Sequence, residues 1–194
     1  MPVRPARKLN RWHKWDYSNF GFYFVTICTQ GRQQYFGEIR NGLKILNKCG
    51  KIVENFLGEI EGHFKNVYLD EFVVMPNHVH AIILVDNQVN GKRTQTIVGN
   101  VFAQTRVGTG QCPVPTRRNS ARYGLLSKII NGLKNVVTKE IRKQFRYNEF
   151  GWQRSFHDHI IRTPTELNRV RQYIAANPEN WEEDRNNPKN FKKL

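Results

Sequence analysis

The chain alternates between apolar runs of strand character and segments whose apolar residues recur at helical intervals. "FYFVTICT" (22–29) is aromatic and β-branched, and predicts a strand. "VYLDEFVVM" (67–75) and "HVHAIILV" (78–85) predict two more, joined through Pro76 and Asn77 as a hairpin and apolar enough for the middle of a sheet. Between the first two strands, "GRQQYFGEIRNG" reads as a turn-rich link with short strand character. Ile45, Cys49, Ile52, Val53, Phe56, Leu57, Ile60 and Phe64 then recur at helical spacing, with Glu54, Glu59 and Glu61 facing outward, which predicts a helix over 45–64. A second helix is expected over 123–145. Leu125, Leu126, Ile129, Ile130, Leu133, Val136, Val137 and Ile141 form its buried stripe, and Lys128, Lys134, Lys139, Arg142 and Lys143 cover the rest. A short strand follows at 159–162. "TPTELNRVRQYIAANP" is a last helix, with Thr163 or Thr165 as its cap, Glu166 at its positive end and Pro178 as its stop.

The expected order is β-α-β-β-α-β-α, an α+β protein. The first six elements match a ferredoxin-like (split βαβ) sandwich, an antiparallel sheet with helices on one face, and a C-terminal helix follows. Residues 86–122 interrupt the pattern: they are rich in Gly, Thr, Gln, Asn and Arg without sustained period, and read as a long loop or insertion. The expected organisation is a basic N-terminal arm (1–20), one domain (21–185) and a basic C-terminal tail (186–194).

Composition narrows the class. A length of 194 residues suits one core, and no apolar run approaches the roughly 20 residues of a membrane helix. Cys28, Cys49 and Cys112 are odd in number and widely spaced, which suits a reducing cytoplasm and excludes a zinc ribbon. No apolar segment of signal-peptide type follows the basic start, so the expected location is cytoplasmic, close to the nucleoid. The formal charge of +15, from 31 Lys and Arg against 16 Asp and Glu, makes a polyanion the first partner to consider. Arg4, Arg7, Lys8, Arg11 and Lys14 interleave with Trp12 and Trp15 as cations and stacking platforms for a nucleic-acid strand, a pattern an ordinary basic tail also produces. Arg117, Arg118 and Arg122 in the loop, and Arg154, are further candidates for nucleic-acid contact.

The chemistry-bearing pair is His78 and His80. Alternate residues of a strand share a face, so the two imidazoles point the same way. They are open to two readings: a hydrogen-bonded pair in the core, or half of a divalent-metal site. A catalytic site would need a third ligand and a nucleophile. Tyr173 and Asn177, four residues apart on the last helix, could present a phenol and an amide oxygen together, or Tyr173 could merely pack beside Ile174. Two imidazoles and an oxygen donor would suit magnesium or manganese.

"MPNHVHAIILV" resembles the HUH motif (His, large apolar residue, His) of the single-tyrosine HUH transposases. "GWQRSFHDHIIR" followed by "ELNRVRQYIAANPENW" resembles the segment typical of the REP-associated tyrosine transposases within that class, and "DYSNFGFYFVTICTQGRQQYFGEI" resembles their first strand and turn. The resemblance implies that His78 and His80 bind Mg²⁺ or Mn²⁺ with Asn177 as third ligand. Tyr173 would attack a phosphodiester, leaving a 5′-phosphotyrosine and a free 3′-hydroxyl. Many insertion-sequence relatives carry Gln where this chain has the shorter Asn177. His159 and Gln153 fall in the family-like segment as candidates for a supporting or phosphate-contacting role. The implied partner is single-stranded DNA carrying imperfect hairpins of repeated extragenic palindromes, engaged by a monomer or homodimer without a membrane. The alternative is a non-catalytic nucleic-acid-binding module on the same fold.

Overall fold

A computed structural model describes residues 17–86 and 124–190. Arg4, Arg7, Lys8, Arg11, Trp12, Lys14, Arg117, Arg118 and Arg122, and most of the arm and loop that carry them, lie outside the described residues.

The sheet is built from β1 (Gly21–Cys28), β4 (Val67–Met75), β5 (His78–Val85) and β6 (His157–Ile161), in the order β4-β5-β1-β6. Every neighbouring pair is antiparallel. All eight residues of β5 are buried, because it has strands on both edges and apolar layers on both faces. One layer joins Tyr23, Val25, Ile27, Val79, Ala81 and Ile83 of the sheet to α1 (Lys48–Gly58), α2 (Ile60–His63) and α3 (Leu125–Phe145). The other gathers Phe22, Val73, Met75, Ile82, Leu84 and Ile161 under α4 (Pro164–Ala176) and Trp181. The expected α+β architecture is observed; among the described α-helices, only α4 lies on the face opposite the others.

Three details depart from the sequence pattern. Ile45 is not helical: residues 37–46 form a two-stranded hairpin, β2 (Gly37–Arg40) and β3 (Leu43–Leu46), turning at Asn41 and Gly42 with φ of 52° and 73°. The Asn-Gly pair supplies the left-handed conformation such a turn needs. Asn47 then caps α1 by accepting from the Gly50 N–H at 3.0 Å, so the helix cannot begin earlier. Within α3, Val136 is exposed and Lys134 is buried, reversing their expected places. Lys134 Nζ donates to the carbonyls of Gln153 (2.9 Å) and Ser155 (3.1 Å), pinning the segment that leads into β6. The packed region also runs past residue 185, since Asn186 and Asn187 are buried.

The placement of α4 rests on two polar devices. A register shift between Leu69 and Phe72 in β4 frees Asp70, which forms a two-pronged ion pair with Arg171; Arg171 Nε donates to Asp70 Oδ2 at 2.7 Å. At the start of the helix, Thr163 Oγ1 accepts from Glu166 N–H (3.1 Å), while Glu166 accepts from the Arg162 N–H (2.9 Å) and pairs with His159 Nε2 (2.7 Å). The Arg162 N–H first, then His159, hold the Glu166 carboxyl below its usual range.

Replacing Arg171 with Leu is expected to cost about 1–2 kcal/mol, about 3–6 °C in Tm by circular dichroism. An unchanged Tm would show that the ion pair does not hold α4. Because the folded-state pKa of Glu166 is depressed, its stabilisation is present above the ordinary carboxylate range and is lost as pH falls through the folded value. Glu166→Gln should therefore lower Tm at pH 7 and converge on wild type near pH 3; parallel curves at both pH values would contradict this.

Candidate active site

His78 and His80 point to the α4 face of the sheet, where His78 lies opposite Met75 and Cys28, and His80 opposite Val73 and Thr26. Both imidazoles are buried, His78 at 0% and His80 at 1% exposure. His78 Nδ1 lies 2.8 Å from Asn77 Oδ1. An amide oxygen can only accept, so Nδ1 carries the proton and Nε2 presents a lone pair. His80 Nδ1 lies 2.9 Å from Thr26 Oγ1, and the two Nε2 atoms are 3.0 Å apart. Burial pushes both imidazoles toward the neutral form, His78 well below its ordinary value and His80 to about 3. After burial, the largest contribution is the neighbouring His80 for His78 and the Arg185 charge for His80. Phe24 stacks on His80 with 5.3 Å between ring centres, and Trp181 on His78 with 6.0 Å.

Oxygen donors complete the set. Asp184 Oδ2 lies 3.6 Å from His78 Nε2, while its other oxygen accepts from the Asn186 N–H at 2.5 Å. The ligand atoms of His78, His80 and Asp184 fall within 4.8 Å of one another and could hold a metal ion. Asp184 Oδ2 and Asn177 Oδ1 are buried and accept no hydrogen bond from the described residues. An orphaned oxygen is costly to bury, and one lying beside a neutral imidazole nitrogen, as Asp184 Oδ2 does, is what a cation would satisfy. The 3.0 Å between the nitrogens also matches two ligands at right angles on bonds of about 2.1 Å. The residues fit a divalent cation.

Tyr173 comes to the same place from α4. Its hydroxyl oxygen is 3.5 Å from His80 Nε2, and its ring meets Phe24 edge-on at 5.9 Å. Tyr173 is 46% exposed, unlike the histidines, so the residue lies at the edge of the site between buried imidazoles and solvent. Burial first, then the Asp184 charge, raise its pKa, and a hydrogen bond from the Asn177 side chain opposes them. The structure thus gathers His78, His80 and Tyr173 with Asn177 beside the phenol.

Other candidates lie elsewhere. His159 is half exposed, lies opposite Phe24 in the sheet and is bonded to Glu166 rather than to either histidine of the pair. Gln153 is held through its backbone, between Cys28 and Lys134, and Arg154 is exposed. Two features escaped the sequence reading. Asp184 sits in "ENWEEDRNN", an acidic run that resembles any solvated tail; its only sequence signal is its place just past "YIAANP". His157 pairs with Thr26 across from His80, so the three residues form one row on the site face.

No family model matches the sequence. An uncharacterized protein of Haemophilus influenzae is 33% identical over 178 residues, spanning 92% of this chain and 91% of its own length. The chain belongs to the family of that protein. A structure of a REP-associated tyrosine transposase bound to a REP hairpin is similar over 90% of this chain and 74% of its own, with 14% identity and a TM-score of 0.49. A crystal structure of a candidate transposase from Deinococcus radiodurans is similar over 87% of this chain and 96% of its own, with 13% identity and a TM-score of 0.45.

Manganese at about a hundredfold excess over its Kd is expected to stabilise the protein by about 2.7 kcal/mol, or about 5–10 °C in Tm. His80→Ala and Asp184→Asn should each abolish most of that rise. A wild-type Tm indifferent to millimolar manganese and magnesium would exclude the metal site.

Proposed function

We propose that this protein is a metal-dependent single-stranded DNA endonuclease and strand transferase acting through Tyr173, in the manner of the single-tyrosine HUH transposases its motifs resemble. The observation that carries the reading is the Tyr173 hydroxyl at 3.5 Å from His80 Nε2, brought there by a helix 93 residues further along the chain. A tyrosine that merely covered the sheet would have no reason to aim its oxygen at a dry imidazole pair while staying open to solvent.

The Tyr173 oxygen attacks phosphorus, forming a P–O(Tyr) bond as the P–O3′ bond breaks. The phenolic proton passes to solvent, and the departing 3′-oxygen takes up a proton. The downstream strand stays on the enzyme through its 5′-phosphate, and attack by another 3′-hydroxyl reverses the step. The phosphodiester count is conserved, so no nucleotide cofactor is consumed. A divalent cation held by His78, His80 and Asp184, with Asn177 as a further oxygen, supplies Lewis-acid polarisation of the phosphate when bound. Phe24 and the His80 ring hold the phenol in orientation, and burial first, then the Asp184 charge, favour its protonated form.

The substrate class is single-stranded DNA with hairpin repeats, bound by a monomer or homodimer. This rests on the motif resemblance and on the +15 charge. Exposed Arg154, Arg162 and Arg169, together with the basic arm, would track its phosphates.

With manganese and a randomised pool of 3′-end-labelled hairpin oligonucleotides, wild type should form a labelled adduct that survives denaturing electrophoresis, and Tyr173→Phe should form none. An adduct persisting in Tyr173→Phe would remove Tyr173 as nucleophile. Salt-sensitive binding with no cleavage in any metal would instead support a non-catalytic binding module on this fold.

A further inference from the structure

Asn77 has no chemistry of its own, yet both ends of its side-chain amide are engaged around the site. It is fully buried, at 0% exposure. Its Oδ1 accepts from His78 Nδ1 at 2.8 Å. One proton of Nδ2 goes to the Asn186 carbonyl at 2.8 Å and the other to the Arg32 carbonyl at 3.0 Å. Its backbone carbonyl accepts from both the N–H (2.9 Å) and the Oγ1 (3.0 Å) of Thr29. Asn186 in turn donates its N–H to Asp184 Oδ1 at 2.5 Å. Arg32 Nη1 reaches the Arg185 carbonyl at 3.1 Å. One amide therefore touches the nitrogen side of the site through His78, and the oxygen side through Asn186 and Asp184.

We infer that Asn77 is a positioning residue that assembles the metal site from both sides, its carbonyl fixing the proton of His78 on Nδ1 and its NH₂ group seating the 184–186 segment so that Asp184 faces the histidines. This rests on His78, His80 and Asp184 being the metal ligands. A side-chain amide is the group this position needs. A carboxylate could accept from His78 but would repel the Arg32 and Asn186 carbonyls, and an apolar residue of the same size would leave His78 Nδ1 and both carbonyls unpaired. The turn preceding a strand could have been satisfied by many residues; the bonds to His78 and Asn186 single out Asn.

Two measurements on the full chain test this. In metal-free wild type with ¹⁵N-labelled histidine, long-range ¹H–¹⁵N correlation should show His78 protonated on Nδ1 with Nε2 bare; a proton on Nε2 would overturn the carbonyl's part. Manganese titration by calorimetry should rank wild type above Asn77→Asp and Asn77→Asp above Asn77→Leu, with Asn77→Leu weakened about 10–100-fold. Wild-type affinity in Asn77→Leu would overturn the inference, and equal affinities in the two variants would refute the division of labour between the carbonyl and the NH₂ group. Should either variant fail to fold by circular dichroism, the tautomer of the wild-type protein still decides the carbonyl's part. Failure of wild type to bind manganese would instead remove the metal reading itself and leave the tautomer result standing alone.

Discussion

Two imidazoles buried side by side at the centre of a sheet impose a strict requirement: neither can be charged cheaply, and each Nδ1 must have a partner. Thr26 and Asn77 provide those partners, one from the adjacent strand and one from the turn before β5. The remaining nitrogens are then left facing one another at 3.0 Å, and the architecture around them follows from that. β5 is central, and so rigid enough to hold the pair. Apolar layers on both faces keep water out. Two buried oxygens without hydrogen-bond donors among the described residues, on Asn177 and Asp184, come from the end of α4 and the segment beyond it.

That late arrival explains why α4 is held by polar devices as well as by its apolar side. Leu167 and Ile174 bury against the sheet, but they alone would permit sliding along a smooth apolar surface. The Asp70–Arg171 pair and the cap at Thr163 and Glu166 fix the helix along its axis and about it. The irregularity in β4 that takes Asp70 out of the ladder belongs to the same arrangement: a regular strand would have kept that residue paired and left Arg171 without its carboxylate.

The strands and the histidine parity were legible because period-two alternation is a local property, and so was the spacing of Tyr173 and Asn177 on a helix. What local pattern could not carry was any pairing across the fold. Ile45 fits a helical period with Cys49, but the Asn-Gly turn and the Asn47 cap outweigh it. Lys134 reads as a solvated cation until two carbonyls 19 and 21 residues away claim its ammonium. Asp184 is one acid among several, distinguished only by the segment's return to the sheet. The family-like motifs pointed to the helix that brings Tyr173 within 3.5 Å of His80, but not to Asp184 or to the bonds of Asn77.

The contrast in solvation across the site is itself an argument about chemistry. The histidines are dry and neutral, while Tyr173, 3.5 Å away, is nearly half exposed. A purely structural histidine pair would gain nothing from a wet phenol at its edge, and a purely surface tyrosine would gain nothing from Phe24 and His80 fixing its ring. Under the proposed reading, such a boundary between low and high dielectric would suit an anionic strand approaching from water: a cation held by His78, His80 and Asp184 would attract the phosphate more strongly on the dry side, while the rest of the strand would stay hydrated. On the same reading, the phosphodiester would have to reach both the phenol and the histidine side, which a flexible single strand would do far more readily than a stiff duplex.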